Sequence, residues 1–317
     1  MTGFRRRAFL VFATSAAGLA ACTPTSQPGL DPATANPGLR EDPLPQFTVQ
    51  RHRYEYGADP SQWGELFLPD LAPHEQHAGV VVVIHGGYWR SQYGAELGVP
   101  LAQDLAEQGF AAWNLEYRRM GNGGGWPQTF LDVLTGVDKL RELSTLHSLD
   151  LGKVVALGHS AGGQLAVWAA GRGRLAGLGL AGPDDAELAR LASSPNAVRL
   201  TGVVSQSGVL NLAEAEKLNL SNGAVDNLLG GTSSDFPERH RLADPMAALP
   251  LAVPVYAVHG EDDTTVPTVM STSYVDASQS GPVPAMFVSV PGDHFALIDS
   301  AAEAYVRCRE LVASLLA

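Results

Sequence analysis

The sequence predicts an α/β fold, a mostly parallel sheet with helices packed on both faces. Three observations lead there. From residue 47 to the end, short runs rich in Val, Ile and Leu alternate with longer stretches of helical spacing. One run, Val80-Val81-Val82-Val83-Ile84, has no polar position, as a strand covered on both faces requires. Glycine-rich turns follow two of these runs directly, at Gly86-Gly87 and at Gly158-His159-Ser160-Ala161-Gly162.

Taken in order, Phe47 to Tyr56 and Trp63 to Leu68 alternate as an antiparallel pair at the sheet edge does. Val80 to Ile84 is a buried strand, Leu97 to Gln108 a helix, Phe110 to Tyr117 a strand and Thr129 to Leu143 a helix. Val154 to Leu157 is a strand that runs through a tight turn into a helical stretch, Gln164 to Ala170. Strands follow at Gly202 to Ser205, Val253 to Val258 and Ala285 to Val290, with helices at Val266 to Ser278 and Leu297 to Leu316. The count is that of an eight-stranded sheet. Residues 171–196 and 210–250 break the rhythm. Both are candidates for a small helical lid over the C-terminal edge of the strands, where such sheets bind ligands.

The chain has 317 residues, of which 45% are hydrophobic and 17% charged, enough to bury one large core. The net charge of −12 and the lack of basic runs past the first residues exclude a nucleic-acid surface. No cofactor motif is read, and no cofactor is expected. Residues 1–21 have the form of an export signal: Arg5, Arg6 and Arg7 precede an apolar run too short to span a bilayer comfortably. Arg6-Arg7-Ala8-Phe9-Leu10 is similar to a twin-arginine signal, and Leu19-Ala20-Ala21-Cys22 to a bacterial lipoprotein box. That likeness implies acylation of Cys22, a membrane partner through the lipid, and a place in the cell envelope. Residues 22–46, rich in Pro, Thr, Gly and Ser, are expected to be a flexible linker, and 47–317 the catalytic domain. The second cysteine, Cys308, sits in an amphipathic stretch and is expected to be a buried free thiol.

Four patterns carry chemistry. Gly158-His159-Ser160-Ala161-Gly162 fits G-x-S-x-G between a strand and a helix, a turn that lifts the serine hydroxyl clear of the sheet. The glycines admit a turn too tight for side chains, and the helix N-terminus favours negative charge beside the nucleophile. His85-Gly86-Gly87-Tyr88-Trp89 supplies backbone N–H groups for an oxyanion, with the N–H of Ala161 completing the set. Here His85 is expected to orient the loop, and Tyr88 and Trp89 are candidates for lining a substrate pocket. Between His259 and Pro267 three acids compete for one role; Asp263 falls where H-G-x-x-D-x-x-V-P places its acid, and Asp262 is next. His294, after the last strand, is suited to taking and returning a proton near neutrality. The remaining histidines (52, 74, 77, 147, 159 and 240) show no metal-ligand spacing, and no metal is expected.

With these residues the chain resembles the α/β-hydrolase superfamily, over roughly Tyr54 to Ala317. Within it the likeness is to the esterase and kynurenine-formamidase-like branch, close to the hormone-sensitive-lipase type. Tyr56-Gly57, Leu66-Phe67-Leu68-Pro69, the HGGYW run at 85–89, Glu116-Tyr117-Arg118, the elbow and Ser207-Gly208 carry it. The resemblance implies a triad of Ser160, Asp263 and His294, and an oxyanion hole of Gly86, Gly87 and Ala161. It implies hydrolysis of small or medium acyl or aryl esters through an acyl-enzyme. The alternatives are an aryl-formamidase acting on an amide, a prolyl-oligopeptidase-type peptidase, and a non-catalytic binding protein on the same fold. Formylkynurenine is an intracellular metabolite of that branch, so an export signal argues against it. A prolyl-oligopeptidase-type peptidase carries an N-terminal propeller, for which the residues before the core leave no room.

Overall fold

The computed structural model describes residues 47–72, 76–175, 177 and 186–317. The expected signal, linker and Cys22 lie outside them. Eight strands form one sheet: β1 (Val49–Glu55), β2 (Trp63–Pro69), β3 (Val80–Ile84), β4 (Ala111–Leu115), β5 (Val154–His159), β6 (Gly202–Gln206), β7 (Val255–Gly260) and β8 (Met286–Val290). Their spatial order is β1-β2-β4-β3-β5-β6-β7-β8. β2 runs antiparallel to both β1 and β4, and every pairing from β4 to β8 is parallel.

The helices are α1 (Val99–Glu107), α2 (Gln128–Asp138), α3 (Leu140–His147), α4 (Ala161–Ala170), α5 (Arg172–Leu175), α6 (Ala186–Ala192), α7 (Leu212–Lys217), α8 (Ala224–Leu229), α9 (Pro237–Ala243), α10 (Val269–Ser278) and α11 (Glu303–Leu316). Alternate side chains of β3 feed two cores, because successive residues of a strand point to opposite faces. Val80, Val82 and Ile84 join the core under α2, α4 and α10, while Val81 and Val83 join the one under α1 and α11. This explains why the β3 run carries no polar residue. Cys308 is buried in the second core as a free thiol, its pKa pushed up to about 12 by burial.

The helix expected over 129–143 has a single turn residue, Lys139, between α2 and α3, and continues four residues further to His147. A partner lies there: the His147 ring meets the Tyr54 hydroxyl of β1 at 2.7 Å. The closing helix starts at Glu303, after a 3-10 turn at Ala296–Ile298.

The described part of 171–196 is not a lid. α4 runs back alongside the sheet from the C-terminal end of β5, and α5 lies at the strands' N-terminal edge, away from Ser160: Arg172 and Arg174 line one cavity with Arg199 and Leu200, just before β6, and Val253, just before β7. Arg172 is anchored there: it pairs with Asp138 at 2.7 Å and donates to the Leu191 carbonyl at 2.7 Å. The segment 210–250, by contrast, leaves the C-terminal end of β6. There α8 braces neighbouring loops, with the Leu228 carbonyl accepting from Trp126 N–H at 2.9 Å and the Ser221 carbonyl, just before α8, accepting from Arg90.

Candidate active site

The turn between β5 and α4 holds Ser160 at φ 55° and ψ −117°. A residue other than glycine held there carries strain of about 1–3 kcal/mol, which the surroundings must enforce. They do so from the end of β6 and the loop after it: Ser160 N–H donates to the Gln206 carbonyl at 2.8 Å, and the Ser160 carbonyl accepts from Val209 N–H at 3.3 Å. Two glycines are required by packing. A Cβ on Gly162 would collide with the Ile84 and His85 carbonyls, and one on Gly158 with the Gly162 carbonyl.

His294 follows β8 and donates from Nδ1 to Asp263 Oδ2 at 2.7 Å. Asp263 follows β7, and its other oxygen accepts from the N–H groups of Thr265 and Val266 at 2.8 and 2.9 Å. Burial pushes the Asp263 carboxyl up, but the His294 hydrogen bond and the Val266 N–H outweigh it and hold the acid well below the usual range. The anion therefore persists, and it fixes the imidazole tautomer with Nδ1 protonated and Nε2 free to accept. His259 steadies this turn, its Nε2 donating to the Val266 carbonyl at 2.9 Å and its Nδ1 accepting from Ser271 at 2.8 Å. Of the three candidate acids only Asp263 meets the histidine; Glu261 and Asp262 are exposed.

Ser160 and His294 line one cleft of about 130 Å³. Gly87, Tyr88 and Thr265 line it too, and Leu97, Phe295 and Ile298 supply apolar wall. Gly86 lies against the elbow so closely that a Cβ there would sit 2.8 Å from the His159 carbonyl and 2.9 Å from Ser160 Cβ. Gly87 adopts φ 112°, a backbone state open to glycine. Ala161 opens α4, where the N–H has no acceptor within the helix. The three expected oxyanion donors thus sit on the loop and helix end that meet at Ser160.

Tyr88 and Trp89 part company. Tyr88 lines the cleft and donates its hydroxyl to the Thr265 carbonyl at 2.7 Å. Its pKa is pushed up to about 12 by burial and the nearby Asp263 charge, so it stays a neutral donor. Trp89 is fully buried in the core and donates from its indole to Gln164 at 3.2 Å. The structure places it away from the cleft lining.

The partners of His85, which the sequence reads as orienting the loop, were signalled only in part. His85 Nδ1 donates to its neighbour's carbonyl, Gly86 O, at 2.8 Å, and Arg119 reaches Nε2 at 3.1 Å. Tyr117 stacks on the ring at 4.3 Å and donates to the His85 carbonyl. Glu116, paired with Arg119, also accepts from Ala95 N–H at 2.9 Å. These contacts make His85 a brace for the glycine loop. Only Glu116-Tyr117 was signalled, as part of a strand-end motif; Arg119 carried no signal. His159 is the second surprise. Its ring packs 4.4 Å from that of His294 and donates to the His294 carbonyl at 3.0 Å.

The fold has solved counterparts. Esterase B from Lactobacillus rhamnosis, in an inhibited form, superposes with TM-score 0.68 at 22% identity, over 84% of this chain and 86% of that one. A truncated carbohydrate esterase from gut microbiota gives 0.63 at 18%, over 86% and 98%. Est2 from Thermogutta terrifontis gives 0.61 at 20%, over 86% and 92%. At these identities the likeness establishes the α/β-hydrolase fold. In sequence the chain is 25% identical to Esterase LipQ of Mycobacterium tuberculosis over 232 residues, 72% of this chain. The chain spans about half the length of that curated relative, 52%. The BD-FAE family model matches residues 65–277, more than half of the sequence, so the chain belongs to the BD-FAE family of α/β-hydrolase proteins.

Proposed function

We propose that the protein is a carboxylesterase that hydrolyses esters of small to medium acyl or aryl groups through an acyl-enzyme on Ser160. The observation that carries this is the 2.7 Å bond from His294 Nδ1 to Asp263, beside a cleft that Ser160 and His294 line together. Ser160 Oγ attacks the ester carbonyl carbon and passes its proton to His294 Nε2. The N–H groups of Gly86, Gly87 and Ala161 are the donors offered to the oxyanion. Collapse expels the alcohol, which takes the proton from His294. Water then repeats the sequence on the acyl-enzyme and releases the acid. Esterase names among the relatives support this reading, as do the apolar walls at Leu97, Phe295 and Ile298.

The test is the initial rate on p-nitrophenyl acetate, p-nitrophenyl octanoate and N-formylkynurenine, beside Ser160→Ala. Ester turnover lost in the variant is expected, with acetate favoured over octanoate by the small cleft. Preference for formylkynurenine would move the activity to a formamide; turnover retained in Ser160→Ala would remove the serine from the mechanism.

We also propose that the chain is exported and held at a membrane by acyl chains on Cys22, on the strength of the leader's pattern alone. Fractionation tests it: the protein is expected with membranes and Cys22→Ala in the soluble fraction, whereas equal partition of the two would refute the anchor.

A further inference from the structure

Away from the cleft, three acceptor groups from three helices converge. Glu216 of α7, Asp226 of α8 and His240 of α9 each offer one ligand atom, and these atoms lie within 4.8 Å of one another. His240 is only 7% exposed. Its Nε2 lies 2.9 Å from the Gly231 carbonyl, which can only accept, so Nε2 carries the hydrogen. In the neutral ring Nδ1 is then a lone pair. That atom is buried without a hydrogen-bond partner and faces Glu216 Oε2, another acceptor, at 3.5 Å. Asp226 Oδ1 is likewise buried and unpartnered. With that ring neutral, lone pairs face lone pairs, an arrangement that is costly unless something positive lies between them.

We propose that Glu216, Asp226 and His240 form a binding site for a divalent transition cation of the zinc type. An imidazole nitrogen with two carboxylates suits zinc better than calcium or magnesium, which favour oxygen-only sets. Bonds of about 2.0–2.2 Å put tetrahedral donors about 3.3 Å apart, close to the Glu216–His240 spacing. The wider pairs close by rotation of the two half-buried acids, and water takes the fourth position. Outer contacts of the kind that orient metal ligands are in place. The Gly231 carbonyl fixes the His240 tautomer, and Ser233 N–H donates to Glu216 Oε1 at 2.7 Å. The ion would tie α7, α8 and α9 together, in the segment whose Ser221 and Leu228 carbonyls hold Arg90 and Trp126. Its role is therefore to stiffen the frame behind the glycine loop, without touching the reacting atoms.

The test is calorimetric titration of the chelator-treated full chain with Zn²⁺, with Ca²⁺ as comparator, beside Glu216→Gln and Asp226→Asn. Both variants keep size and hydrogen-bonding capacity, and thermal melts without metal check that they fold. One Zn²⁺ per chain is expected, with affinity at least about tenfold weaker in each variant, and with a Tm raised by Zn²⁺ only in the unaltered protein. No Zn²⁺ uptake by the unaltered chain would overturn the proposal. Equal uptake by the variants would overturn it too, by assigning the ion to other histidines.

Discussion

The His159 ring lies 4.4 Å from the His294 ring and donates to the His294 backbone carbonyl at 3.0 Å. The residue before the nucleophile thus positions the backbone of the expected base. It does so as a neutral imidazole: burial, with the nearby His294, lowers its pKa to about 3.

That burial sets an acid limit on stability. An unfolded histidine takes a proton near pH 6.5, the folded His159 near about 3. Between those values the unfolded chain binds more protons, so stability falls as pH falls. By pH 5 the loss is on the order of 2 kcal/mol. His159→Gln can keep the bond to the His294 carbonyl without titrating. Denaturant unfolding at pH 7 and pH 5 is expected to show a smaller drop for the variant than for the unaltered protein.

Asp263→Asn keeps the turn, because the amide oxygen still accepts from Thr265 and Val266. The amide N–H₂ then donates to His294 Nδ1 and imposes the wrong tautomer. A fall in kcat of roughly 10³–10⁴-fold is expected, with far-UV circular dichroism unchanged. Loss of less than tenfold would separate Asp263 from the chemistry.

Neighbours in one motif should differ in effect. Trp89→Ala removes a fully buried side chain and is expected to cost about 3–5 kcal/mol in denaturant unfolding. Tyr88→Phe loses one hydrogen bond to the Thr265 carbonyl, worth about 1 kcal/mol, and keeps the ring that lines the cleft. Its effect is expected chiefly on KM, whereas that of Trp89→Ala is on stability.

Eight strands were legible because a sheet covered on both faces needs apolar runs, as in Val80 to Ile84, and because the turns after them need glycine. The strand-turn-helix setting made Ser160 visible, and motif position separated Asp263 from two adjacent acids. Side-chain direction was less legible. His85-Gly86-Gly87-Tyr88-Trp89 describes a backbone, and nothing in it says that Tyr88 turns to the cleft and Trp89 into the core. The direction of α4, set by the crossover, decided that 172–175 lies at the far edge from Ser160; spacing alone could not. The same holds for Glu216, Asp226 and His240, whose separation in sequence conceals that three short helices bring them together.

Intact-protein mass spectrometry after treatment with a p-nitrophenyl alkylphosphonate tests the role of Ser160 as nucleophile. Ser160 Oγ displaces p-nitrophenolate from phosphorus and keeps the phosphonyl group, since no second step releases it readily. One adduct per chain is expected, mapped to Ser160, absent from Ser160→Ala and greatly slowed in Asp263→Asn. An unmodified folded protein, or an adduct that persists in Ser160→Ala, would contradict it.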